Sequence, residues 1–369
     1  MTLMTPQNGA RNLLVNCAKA GVGDRLLIAS EPAELGYFDE KSVACIASVG
    51  RELGLRVETV DVGFNPENPH LPPALLRAFE AADIILFLAR LGDQLRFSEM
   101  PPGKTIIVSF AVNETLLGSG FGTGNYDAFV RIKTATDTAL DGASDVHLTC
   151  PAGSDVRGQP AMNLSPSGDT SIKRFPMSVF APVPAHSFSG RVALCGFLTG
   201  TGSRYYDGYH LQFDGPVAAL MEQGRLTGFD GGSADVTKAN AHYDRVAQMF
   251  GIDRNFVHSW HAGIHPGCGY PWDINDNVER WGGTAFGNPR VLHFHTCGAY
   301  APGEISWNVV DPTITIDGVP IWDKGVFHPE RLPGGQAILN EYPDVAAIFA
   351  HPDRHIGMSR MAGVAAAMA

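Results

Sequence analysis

Three short runs in the first third of the chain are apolar on successive residues rather than on alternate ones: RLLIAS (Arg25–Ser30), DIILFL (Asp83–Leu88) and TIIVSF (Thr105–Phe110). A strand with one face in water alternates, so strands of this kind must be covered on both faces. Between them lie stretches with apolar residues at helical spacing, Arg11–Ala20, Asp39–Gly54 and Pro72–Ala82, and a further strand, Arg56–Val62. Helix and strand in alternation predict a parallel sheet flanked by helices. Residues 1–140 are therefore expected to form an α/β domain.

From Pro151 the texture changes. Prolines, glycines and short alternating runs replace the long helices, and Arg191–Leu198, Gly215–Glu222 and Arg225–Phe229 read as antiparallel strands with a hairpin at Glu222–Gly224. One helix, Ser233–Phe250, interrupts them. At 369 residues the chain accommodates two cores. The expectation is an α+β two-domain protein, with a β-rich catalytic domain over residues 151–369. The glycine-rich GSGFGTG (Gly118–Gly124) lacks the Lys-Ser/Thr ending of a nucleotide-binding loop and reads as a flexible loop or lid.

Lys and Arg number 27 against 38 Asp and Glu, for a formal charge of −11. Binding a phosphate backbone needs clustered positive charge, so nucleic acid is excluded as a partner. The six cysteines form no CxxC pair and read as free thiols. No apolar run of bilayer-spanning length occurs, and the first residues have no charged head followed by an apolar stretch. A cytoplasmic protein without membrane contact is expected, acting on a small molecule.

Five of the thirteen histidines lie between His258 and His295. HSWHAGIHPG carries His258, His261 and His265; HFHTCGAYAPGE carries His293, His295, Tyr300 and Glu304. On extended chain Ser259 and His261 share one face while His258 and Trp260 take the other, and His293 and His295 also share a face. Two imidazoles from one strand and a third from its neighbour suit zinc, iron or manganese. The same rings also serve as acid and base if no metal is held. Glu304 is the candidate base, His265 a further catalytic imidazole, and the Tyr300 hydroxyl a group that steadies developing negative charge. Asp311 and Asp317 read as turn residues. Cys297 raises a thiol nucleophile as a lesser alternative, and the absence of GxSxG weighs against a serine hydrolase.

The order of LLVNCAKAGVGDRLLI, CPAGSDVR (Cys150–Arg157), RFPMSVFAPV (Arg174–Val183), DGPVAALMEQGRLTGFDGG (Asp214–Gly232), GIHPG, VLHFHTCG and DPTITIDG resembles a known superfamily. It holds the aminopeptidase T/S-type metallopeptidases and 2,5-dihydroxypyridine 5,6-dioxygenase, and the resemblance covers nearly the whole chain. It implies an N-terminal α/β domain, a C-terminal metal domain and assembly as a homo-oligomer. It also implies two divalent metals for a peptidase, or one iron(II) on two histidines and a carboxylate for the dioxygenase. Carried over by position, the first ligand falls on Ser259 and the later His-x-Asp pair on Ser306 and Asn308. His293 matches a peptidase ligand and Tyr300 its catalytic tyrosine. The inherited ligands are thus replaced, which leaves two possibilities: a metal relocated onto His261, His265, His293 and His295, of which His261, His293 and His295 are the expected ligands, or a site that works without one.

The leading expectation is a ring-opening enzyme for a small polar N-heterocycle or cyclic amide, by oxygenation or hydrolysis. Arg174, Ser259, Ser306 and Asn308 would contact substrate, Arg174 through an anionic group. The alternatives are an aminopeptidase-like hydrolase of short peptides and a metal-free enzyme or binding protein of the same fold.

Overall fold

The computed structural model describes residues 3–358, apart from 68, 70, 72, 97, 161–171, 201 and 299. Among the described residues the strands form three sheets. The first is wholly parallel, in the order Arg56–Asp61, Arg25–Ser30, Ile84–Leu88, Thr105–Ser109, Lys173–Phe175. Its three central strands, Arg25–Ser30, Ile84–Leu88 and Thr105–Ser109, are buried on both sides, as their unbroken apolar runs require, while the edge strand Arg56–Asp61 is largely exposed. Leu26, Ile28, Ile84, Leu86 and Ile107 enter one core with the helix Glu40–Glu52, while Leu27, Ala29, Ile85, Phe87, Ile106 and Val108 enter another with Phe79. The last strand, Lys173–Phe175, comes from far downstream, and it brings Arg174 to the edge of this sheet.

The other two sheets are antiparallel and pack face to face through one large core. The six-stranded sheet runs Leu211–Gln212, Phe197–Thr199, Glu304–Val310, Val291–Cys297, Val257–Ala262, Val183–Pro184. Trp260, Phe294 and Trp307 project from its rear into that core. Removing either indole would cost about 3–5 kcal/mol. The helix Ser233–Phe250 braces the same side. Trp307 Nε1–H donates to the Tyr243 hydroxyl at 2.6 Å, Tyr243 reaches Thr296 Oγ1 at 2.5 Å, and Thr296 donates to the Ile305 carbonyl at 2.8 Å. Every polar atom of this relay is satisfied, so the two central strands are tied together from behind.

The expected α+β two-domain layout is what the chain adopts. The hairpin at Glu222–Gly224 is present, with Gln223 and Gly224 both at positive φ. Asp311 and Asp317 also sit at positive φ, in turns. Two segments differ from the sequence expectation. Arg11–Ala20 is not one regular helix: an α-helical Pro6–Arg11 leads into wider π-type turns over Asn12–Cys17. GSGFGTG is not a lid. Gly120, Phe121 and Gly122 are buried in a short helical turn, and Asn12 Nδ2 donates to the carbonyls of Gly122 and Gly124 at 2.9 and 2.7 Å. The glycines serve close packing: a Cβ on Gly267 would lie 2.6 Å from the Gly120 carbonyl carbon.

The two domains meet through buried charge. Arg90 follows the strand Ile84–Leu88; its Nε lies 3.1 Å from Glu31 and its Nη1 2.9 Å from Glu279 of the second domain. Nearby, Ser203 N–H donates to Asp93 at 2.8 Å and the Tyr205 hydroxyl to the Gln94 carbonyl at 2.8 Å. These contacts carry the short helix Arg90–Gln94, and Arg96 just beyond it, against the six-stranded sheet.

Candidate metal centre

Three adjacent strands, Val257–Ala262, Val291–Cys297 and Glu304–Val310, build the site. Their register places His261, His293 and Asn308 in one rung and Ser259, His295 and Ser306 in the next. With a side-chain period of two, all six share the face opposite Trp260, Phe294 and Trp307. That polar face is as buried as the aromatic one: none of the six is more than 8% exposed. Burying so much polar surface is costly unless the groups find partners.

Some of those partners are visible. His261 Nδ1–H donates to the Phe180 carbonyl at 3.1 Å, which leaves Nε2 with its lone pair. His295 Nδ1–H donates to the Glu304 carboxylate, so its Nε2 is also the free nitrogen, buried and without a protein partner. His293 stacks on Phe286, ring centroids 4.0 Å apart, and its Nε2 lies 2.6 Å from His261 Nε2. Nitrogens from all three rings fall within 4.8 Å of one another. Burial pushes His261 and His293 well below the ordinary imidazole range, helped by the charge of neighbouring histidines and of Arg174. Both are therefore neutral and hold lone pairs ready.

This donor set fits a divalent transition metal. Three neutral imidazoles face one another, and two of them are oriented by an acceptor on the far nitrogen, as in carboxylate–histidine and carbonyl–histidine metal sites. Glu304, expected as a general base or ligand, is the hydrogen-bond partner of His295. Its charge also reaches Arg96.

The remaining expected residues divide. Ser259 Oγ lies 2.8 Å from His258 Nδ1, beside the triad. Tyr300 stands at the solvent side, 42% exposed, its ring 5.3 Å from that of His258. All three rings are buried, and His295, at 8%, is the most exposed of them. Arg174 lies close enough for its charge to act on both His261 and His293. His265 does not join them. Its ring stacks on Phe129 at 3.7 Å and meets the edge of Phe121 at 5.0 Å, Gly267 N–H donates to its Nδ1, and burial drives it down to about 3. It is a core imidazole, placed by the turn that follows the strand. Cys297 is buried and pushed up to about 12 by that burial, which removes the thiolate a nucleophile would need.

Two contributors escaped the sequence reading. Arg96, buried and paired with Asp93 at 2.5 Å, adds positive charge at His293. Phe286 supplies the stacking wall. Neither sits in a recognisable motif, and only the docking of the two domains brings Arg96 near.

The architecture defines a two-domain α+β protein with a histidine-lined face between strands. Its fold is similar to that of 2,5-dihydroxypyridine dioxygenase from Pseudomonas putida KT2440, with TM-score 0.56 and 14% identity over 87% of this chain and 96% of that one. AmpT from Thermus thermophilus also aligns, with TM-score 0.49 and 10% identity over 87% of this chain and 98% of that one. The fold expected from the order of motifs is thus present. No protein-family model matches the chain, and no curated protein does.

Proposed function

We propose that this protein is a ring-opening enzyme for a small polar N-heterocycle or cyclic amide, centred on His261, His293 and His295. The observation that carries the reading is the convergence of three buried imidazoles whose far nitrogens are held by Phe180 and Glu304 or stacked against Phe286. The fold shared with a dioxygenase of a hydroxylated pyridine supports the substrate class.

The three histidines would hold one divalent iron, zinc or manganese. Bound there, such an ion supplies Lewis acidity toward a ring oxygen and, for iron, access to oxygen chemistry. The protein's own part is positional. Glu304 fixes the tautomer and tilt of His295, and the Phe180 carbonyl does the same for His261. Arg174 and Arg96 bias the pocket toward an anionic or enolised ring, and Tyr300 at the mouth steadies negative charge as the ring opens. The burial of the face excludes bulk water from the reacting atoms.

A metal-free reading also has a specific observation behind it. With His261 Nδ1–H committed to Phe180, the 2.6 Å Nε2–Nε2 contact requires His293 Nε2–H to donate to His261. His295, backed by Glu304, then presents Nε2 as a general base.

The test is turnover of a panel of hydroxylated pyridines and lactams, with oxygen uptake and product followed together, with and without added iron(II), zinc or manganese. Ring-opened product that disappears in His293→Ala supports the reading. Metal-independent turnover selects the acid–base version. No product under any condition, or full activity in His293→Ala, refutes the assignment.

A further inference from the structure

Asn308 occupies the same rung as His261 and His293, across the strand pair from His293, and is wholly buried. Neither its Oδ1 nor its Nδ2 has a hydrogen-bond partner within the protein. A buried carboxamide in this state forgoes several hydrogen bonds, and such groups are rare unless something else completes them. On the opposite face of the same strand, Trp307 has its donor satisfied by Tyr243. Within this strand the unpartnered side-chain atoms belong to Asn308, on the side facing the histidines; on the rear of the neighbouring strand Trp260 Nε1 is also without a partner.

We infer that Asn308 reads the cis-amide edge of the substrate, with its carbonyl accepting a ring N–H while its amide nitrogen donates to the adjacent ring carbonyl. A primary carboxamide presents one donor and one acceptor side by side, which is the complement of a lactam or 2-pyridone edge. The same side chain makes the same paired bonds to the donor–acceptor edge of adenine. The substrate class that follows is a ring with N–H and C=O on neighbouring atoms. N-alkylated rings and rings without the carbonyl are rejected, because they leave one half of the buried amide unmatched. The apolar cluster of Phe197, Trp281 and Phe286 packs beside this part of the sheet, with Phe286 stacked on His293. The inference rests on the triad being the reaction centre, because it sets the ring beside His293.

The experiment is calorimetric binding of 2-pyridone, N-methyl-2-pyridone and 2-aminopyridine to the protein as purified, with metal content measured on every sample. The wild type should bind 2-pyridone about ten- to a hundredfold more tightly than N-methyl-2-pyridone. This comparison needs no variant to fold. Asn308→Leu should lose that preference, and Asn308→Asp, now an acceptor on both atoms, should shift it toward protonated 2-aminopyridine, both with unchanged metal content. Equal affinity for the two pyridones, or no binding of either at millimolar concentration, overturns the inference. So does loss of metal in Asn308→Leu, which would make Asn308 a ligand. If the preference switches as described while His293→Ala keeps full turnover, the lactam pocket stands and the assigned reaction centre falls.

Discussion

His295 donates its Nδ1–H in a hydrogen bond to the Glu304 carboxylate and keeps Nε2 buried, beside His261 and His293. The two residues pair across neighbouring strands because Val291–Cys297 and Glu304–Val310 run in antiparallel register, with Cys297 opposite Glu304. That arrangement sets the tautomer of His295.

Replacing Glu304 by Gln keeps the shape and removes the charge. Metal affinity, read by competition with a chromogenic chelator, is expected to fall about 10- to 100-fold while the fold is retained. Unchanged affinity would mean that Glu304 does not tune His295.

His265 makes a different prediction, about stability. Its folded value of about 3 lies below the ordinary 6.5 expected when unfolded, so the unfolded chain takes up a proton first as pH falls. Stability is therefore full above pH 6.5 and lost progressively down to about pH 3, by up to about 1.4 kcal/mol per pH unit. His265→Leu should flatten that part of the acid limb in urea-denaturation midpoints without altering metal content. An acid limb of unchanged slope would contradict the assignment of His265 to the core.

Arg90 joins Glu31 of the parallel domain to Glu279 of the other. Arg90→Met leaves two buried carboxylates without their common partner, for an expected loss of about 3–5 kcal/mol. Because the same contacts carry Arg96 to the triad, ligand affinity should weaken as well. Denaturation midpoints at neutral pH decide the first point; a loss below 1 kcal/mol, the range of exposed pairs, would show that the junction is solvated.

Much of this was legible in the chain. Continuous runs such as DIILFL announce strands covered on both faces, and the alternation in VLHFHTC puts His293 and His295 together opposite Phe294. Ser233–Phe250 is a helix over the residues its periodicity marks. The strand Lys173–Phe175 was not legible: three residues carry no periodicity, and their pairing with Thr105–Ser109 is a long-range event. Nor does RLGDQLR signal that Arg96 reaches a site formed some two hundred residues later. His265 shows the converse. Its place in a histidine-rich string suggests chemistry, but Pro266 and Gly267 turn the chain, and its ring lands on Phe129.

The most direct measurement is metal content per chain by plasma mass spectrometry, on protein purified without chelator or affinity tag. About one equivalent of iron, zinc or manganese is expected, lost in His261→Ala and in His293→Ala. A chain that carries none, and takes up none when these metals are supplied, would contradict the metal centre.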